Sequence, residues 1–113
     1  MVSLFIAADR KQIDASRELK AGAIEIHTGC YADAKARPAR SQELKKIREM
    51  ARYAHGLGLL VNAGHGLDYQ NTPDIARIPE IFELNIGHSI VSRAIATGLA
   101  SAVKDMVLLC KEK

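Results

Sequence analysis

Four short apolar runs alternate along the chain with longer stretches whose apolar residues fall at helical spacing. The first run, residues 2–7, is rich in strand formers and gives way to Ala8-Asp9. Asp9 with Gln12 three positions on has the form of a capping box, which predicts a helix to about Lys20 stopped by Gly22. Residues 23–27 predict a second strand with Ile24 and Ile26 on one face and Glu25 and His27 on the other. Thr28-Gly29 ends it, and a loop is expected from Cys30 to Pro38. Leu44, Ile47, Ala51 and Ala54 then mark one stripe of a helix over about 41–55, closed by Gly56 and Gly58. Residues 59–63 read as the third strand. Beyond the loop at 68–71, Thr72 and Pro73 resemble the N-cap and first position of a short helix over 74–77. A fourth strand over 82–86 precedes two helices, one over about 88–97 and one from about Ser101 onward, the latter striped by Leu99, Val103, Met106, Val107 and Cys110.

Strand and helix alternating four times is the pattern of parallel βαβ units, an α/β fold. An open doubly wound sheet and a section of a (β/α)8 barrel both fit that alternation, and the strand faces choose between them. Inner strands of an open sheet meet helices on both faces, where an unpaired carboxylate costs several kcal/mol. Glu25 shares a face with His27, Glu83 shares one with Asn85, and Asn62 adds a polar group at another strand end. The mouth of a barrel collects such groups, so the expectation is half of a (β/α)8 TIM barrel, residues 1–113 forming one partial domain of a fold that takes roughly 250 residues.

Composition narrows the function. The 113 residues are 48% hydrophobic and 26% charged, with 16 basic against 13 acidic side chains and aromatics at 4%. With neither stacking aromatics nor a basic stripe, nucleic acid is not an expected partner. No apolar run reaches membrane-spanning length and no charged region precedes an apolar core at the N-terminus, so neither a membrane span nor a signal peptide is expected, and the cytoplasm is the default compartment. Cys30 and Cys110 lack C-x-x-C spacing and read as reduced thiols.

The candidate chemistry gathers at two glycine-histidine pairs, Gly64-His65-Gly66 and Gly87-His88, each at the carboxyl end of a predicted strand. The second pair also opens a helical pattern, so free backbone N–H groups and the positive helix end face whatever the loop encloses, an arrangement suited to a phosphate ester. His27, His65 and His88 would meet on one rim, whereas His55 is a helix-end residue. Against a zinc site built from these histidines and Glu25 stands the absence of an i, i+4 histidine pair or an H-x-H spacing, and no metal is expected. Glu25 beside His27 is a candidate for acid-base work or for stabilising a developing positive charge. Cys30 is expected to be a structural thiol, and Asp33 and Lys35 solvated loop charges.

Residues 2–6, the run Ile24-Glu25-Ile26-His27-Thr28-Gly29-Cys30-Tyr31-Ala32-Asp33-Ala34, the run Val61-Asn62-Ala63-Gly64-His65-Gly66-Leu67 and the run Glu83-Leu84-Asn85-Ile86-Gly87-His88 together resemble the pyridoxine 5′-phosphate synthase family. The resemblance implies a cytoplasmic (β/α)8 barrel assembled as a homo-octamer. It implies condensation of 1-deoxy-D-xylulose 5-phosphate with 3-amino-2-oxopropyl phosphate into pyridoxine 5′-phosphate, with loss of phosphate and water and without a cofactor. It makes His65 a proton donor, Glu25 the group that stabilises the transition state, and Gly66, Gly87 and His88 binders of the aminooxopropyl phosphate. It covers the family's C-terminal half, so a complementing N-terminal half-barrel or a second copy of the chain is an expected partner. Open strand edges and an apolar interior are further expectations. The alternative is a catalytically silent half-barrel that binds a phosphate ester or serves assembly only.

Overall fold

The computed structural model describes residues 1–111. Four parallel strands, β1 (Ser3–Ile6), β2 (Ala23–His27), β3 (Leu60–Gly64) and β4 (Ile81–Asn85), pair in sequence order with no reversal. A doubly wound sheet reverses its strand order at a switch point. Consecutive order and helices on one face are the construction of a barrel wall, and the chain forms about half of one. Its extents of 45 × 34 × 22 Å and radius of gyration of 14.3 Å, against about 13 Å for a closed globule of this length, fit an unclosed wall.

Alternation along each strand produces the two faces. Ile24, Ile26, Val61 and Ala63 are buried, while Phe5, Glu83 and Asn85 on the opposite face are exposed. The buried face meets α1 (Arg10–Glu18) and α3 (Arg37–Gly56) through Ile13, Ile47, Ala51 and Ala54. Each fully buried isoleucine contributes about 2 kcal/mol, and the alanines of α3 let the helix approach β3 closely. The expected stripe of α3 is thus the one that packs, with Leu44 at its margin.

Several boundaries differ from the sequence reading. The loop after Gly29 contains a short helix, α2 (Gly29–Asp33), and α3 begins at Arg37 because Pro38 occupies the first helical turn, where its missing N–H costs nothing. Helix α1 ends at Glu18, and Lys20, not Gly22, takes the left-handed turn at φ 59°. Asp9 caps α1 as expected, but the Gln12 side chain reaches back to the N–H of Ala7. Helix α4 (Thr72–Ala76) starts one residue earlier than its cap pattern suggested, leaving Thr72 Oγ1 buried without a partner. Helix α5 (His88–Thr97) matches expectation, whereas α6 (Leu99–Lys111) starts at Leu99 and buries Met106 of the expected stripe together with Ala102, which the stripe did not include. Leu99, Val103 and Val107 are exposed. Both faces of α6 are apolar, so hydropathy alone did not tell which one packs.

The inner face carries Glu25, His27, Asn62, Glu83 and Asn85, the polar groups expected at a barrel mouth, and of the expected apolar interior Phe5 and Leu60 are the large side chains. Further exposed apolar side chains lie on α5 and α6 and at Phe82, where a bulge opposite Val61 and Asn62 turns β4. No helix among the described residues is long and apolar enough to cross a membrane.

Candidate functional site at the carboxyl ends of the strands

Parallel register puts Glu25, Asn62 and Glu83 on one level of the inner face, and His27, Gly64 and Asn85 on the next level toward the strand ends. Glu25 Oε1 accepts from Asn85 Nδ2 at 2.5 Å, which ties the carboxylate of β2 to β4 across the intervening strand. Only a glycine at 64 permits this. A Cβ there would lie 2.7 Å from the carbonyl oxygen of Asn85 and 2.9 Å from Glu25 Oε2.

Above Glu25 the chain leaves β3 through a strained turn. His65 has φ 88° and Gly66 φ 76°; for histidine that backbone costs roughly 1–2 kcal/mol. Thr28, fully buried, holds the turn in place. Its N–H donates to Gly64 O at 2.8 Å, and its hydroxyl lies 2.8 Å from Gly64 O and 2.6 Å from His65 O. The imidazole of His65 stacks on that of His27, with centroids 4.4 Å apart and planes 28° from parallel. His27 in turn meets the edge of Phe5 at 5.0 Å, and its Nδ1 accepts the Gly29 N–H at 3.0 Å, which leaves the proton of the uncharged ring on Nε2. His27 is therefore a packing platform for His65.

The loop beyond Gly66 is tied down by its own polar groups. Asp68 Oδ1 accepts from the N–H groups of Gln70 and Asn71, Asn71 Nδ2 donates to Gly66 O, and the Tyr31 hydroxyl donates to Asn71 O at 2.7 Å. Burial and the nearby Asp74 carboxylate raise the pKa of that phenol above its ordinary value. From the other side, Ser89 donates its hydroxyl to Leu67 O at 2.7 Å, bringing the start of α5 against this loop. Gly87 caps α5 without a side-chain hydrogen bond, so the N–H groups of the first turn are left for another acceptor.

These elements enclose an open cleft of about 810 Å³ walled by Glu25, His65, Gly66, Asn85, Gly87 and His88, among others. All five sequence-nominated residues, Glu25, His65, Gly66, Gly87 and His88, meet there. Polar N–H groups at a helix start, two imidazoles and a carboxylate around one cavity suit an anionic ligand whose carbonyl or amine chemistry needs protons moved. Among the described residues, no three His, Cys, Asp or Glu side chains are grouped to hold a metal ion. Cys30 is exposed on α2, so it is not the packed small residue that was expected; Asp33 and Lys35 are solvated. Sequence reasoning missed Thr28, a hydroxyl immediately after a strand, and Arg93, which also lines the cleft.

Residues 1–112 match the family model "Pyridoxal phosphate biosynthesis protein PdxJ". Over 105 residues the chain is 60% identical to the pyridoxine 5′-phosphate synthase of Photobacterium profundum and 60% identical to that of Aliivibrio fischeri. It is 53% identical to that of Idiomarina loihiensis. Each match covers 93% of this chain and 43% of the relative, so the chain spans less than half the length of these proteins. With a family model matched from residue 1 to residue 112 and a half-barrel sheet whose polar face ends in two glycine-histidine loops, the chain belongs to the PdxJ family of pyridoxal phosphate biosynthesis proteins.

Proposed function

We propose that this chain is the aminooxopropyl-phosphate-holding half of a pyridoxine 5′-phosphate synthase, which forms the pyridine ring once an N-terminal half-barrel closes the wall. The observation that carries this reading is the meeting of Glu25, the His65 turn and the unpartnered start of α5 around one cleft. Amides at Gly66, Gly87 and His88 hold the phosphate of 3-amino-2-oxopropyl phosphate, and its amine and ketone point toward the sheet. Condensation of that amine with the ketone of 1-deoxy-D-xylulose 5-phosphate develops positive charge at nitrogen. Glu25, held by Asn85 on the cleft floor, stabilises that charge. His65, on its left-handed turn above Glu25, gives a proton to the departing oxygen. These side chains suffice for carbonyl-amine condensation, so no cofactor is required, and an octameric assembly as in the family is part of the proposal.

The test is complementation. The chain is mixed or co-expressed with the N-terminal half of a relative, given both phosphorylated substrates, and product is followed by mass. Ring formation that falls at least about 100-fold in His65→Ala and Glu25→Gln is the expected result. Binding of the phosphate ester without turnover in the completed barrel would favour the second reading, a catalytically silent half-barrel used for binding or assembly only; the exposed apolar side chains Val91, Ile95 and Leu99 speak for an assembly surface.

A further inference from the structure

Helix α5 carries the free N–H groups of the cleft, yet none of its ten residues is buried. Val91 is 61% exposed and Ile95 86%. Apolar burial on this helix is limited to the half-buried Ile90 and Ala94, so its polar anchors carry much of its placement. The hydroxyl of Ser89 is one, on Leu67 O at 2.7 Å. One turn further along, the guanidinium of Arg93 lies 4.0 Å over the Tyr69 ring, and its Nη2 is 3.2 Å from Asp105 Oδ2. Tyr69 is itself fixed, donating its hydroxyl to Ala102 O at 2.7 Å. Arg93 thus joins three elements: it belongs to α5, stacks on the loop that follows His65 and Gly66, and pairs with α6.

We propose that Arg93 is the positioning residue of the anion site, holding the start of α5 and the 66–71 loop in one fixed relation so that amides from both reach a single phosphate group. This rests on the reading of the cleft as an anion site and adds the device that keeps its two sides in register. Geometry favours arginine over lysine here. A planar guanidinium covers an aromatic ring and still directs N–H groups in its plane to a carboxylate, whereas an ammonium offers a point charge alone. The position is half exposed and lies away from the core around Ile24 and Ile26, so its loss acts on the cleft and not on the sheet.

The experiment uses the whole chain, first without ligand and then titrated with inorganic phosphate. Arg93→Ala speeds amide exchange about tenfold at Val91 in α5 and at Asp68, Gln70 and Asn71 in the loop, while β2 and β3 keep their rates. It also weakens phosphate binding about tenfold, and Arg93→Lys falls between it and the wild type. If Arg93→Ala exposes the sheet to exchange, Asp105→Asn, which loosens the same pin from the α6 side, carries the test with the same expectations. Faster exchange in only one of the two segments, or phosphate affinity equal to that of the wild type, overturns the proposal. Failure of the wild-type chain itself to bind phosphate overturns the anion-site reading, and the positioning role with it.

Discussion

Thr28→Val tests how the His65 turn is held. Valine matches threonine in shape but removes the hydroxyl that lies 2.8 Å from Gly64 O and 2.6 Å from His65 O. Gly64 O keeps the Thr28 N–H at 2.8 Å, so the loss falls on the His65 carbonyl. A hydrogen bond of this kind contributes about 1 kcal/mol, and leaving its acceptor half-buried and unpaired adds up to about 1 kcal/mol more. The left-handed backbone of His65 costs roughly 1–2 kcal/mol. Clamp and strain are therefore of equal size, and without the clamp the turn is no longer held: a change of about 1.4 kcal/mol shifts its population about tenfold. Thr28→Ser is the control, since it loses a buried methyl worth about 1 kcal/mol but keeps the hydroxyl. Urea melts should show both variants destabilised by about 1–2 kcal/mol. Only Thr28→Val should abolish the mutual ring-current shifts of His27 and His65, which stack at 4.4 Å. Unchanged imidazole resonances in Thr28→Val, or equal loss in Thr28→Ser, would refute the clamp.

Two further perturbations follow from the same contacts. Gly64→Ala places a methyl 2.7 Å from the Asn85 carbonyl and 2.9 Å from Glu25 Oε2, so it should destabilise the β3–β4 pairing by about 1–3 kcal/mol and break the Glu25–Asn85 hydrogen bond; an unshifted urea midpoint would contradict this. Burial first, and then Asp74, raises the pKa of Tyr31, so the folded state holds this proton more tightly than the unfolded chain does. Its contribution is fully present below the ordinary phenol value of about 10 and is lost as pH rises through the higher folded value. Urea midpoints should therefore fall more steeply above about pH 10 in the wild type than in Tyr31→Phe, and identical alkaline slopes would count against the buried phenol.

The strand faces were legible because Ile24 to His27 alternate in β2: Ile24 and Ile26 had one place to go, and Glu25 and His27 the other. That pattern was enough to prefer a barrel wall, and glycine beside histidine was enough to nominate both cleft loops. What stayed hidden depends on distances between residues remote in sequence. Thr28 looks like an ordinary strand end until its hydroxyl is seen against carbonyls 36 and 37 residues away. His27 looks like a third member of the site, but its Nδ1 is taken by Gly29 and its face by His65. Arg93 sits in an amphipathic helix among other polar residues, and only the approach of Tyr69 and Asp105 distinguishes it. The packing face of α6 was read only in part for a related reason: Met106 packs as its stripe predicted, but small Ala102 seats beside it while the larger Leu99 and Val103 face outward.

The most direct measurement of the central claim follows the backbone amides of the whole chain by nuclear magnetic resonance as inorganic phosphate is added. If the two glycine-histidine loops form one anion site, Gly66, Gly87, His88 and Ser89 shift together along a single saturation curve, while amides at the opposite ends of the strands stay still. Shifts confined to one loop, separate midpoints for the two, or no saturable response would contradict it.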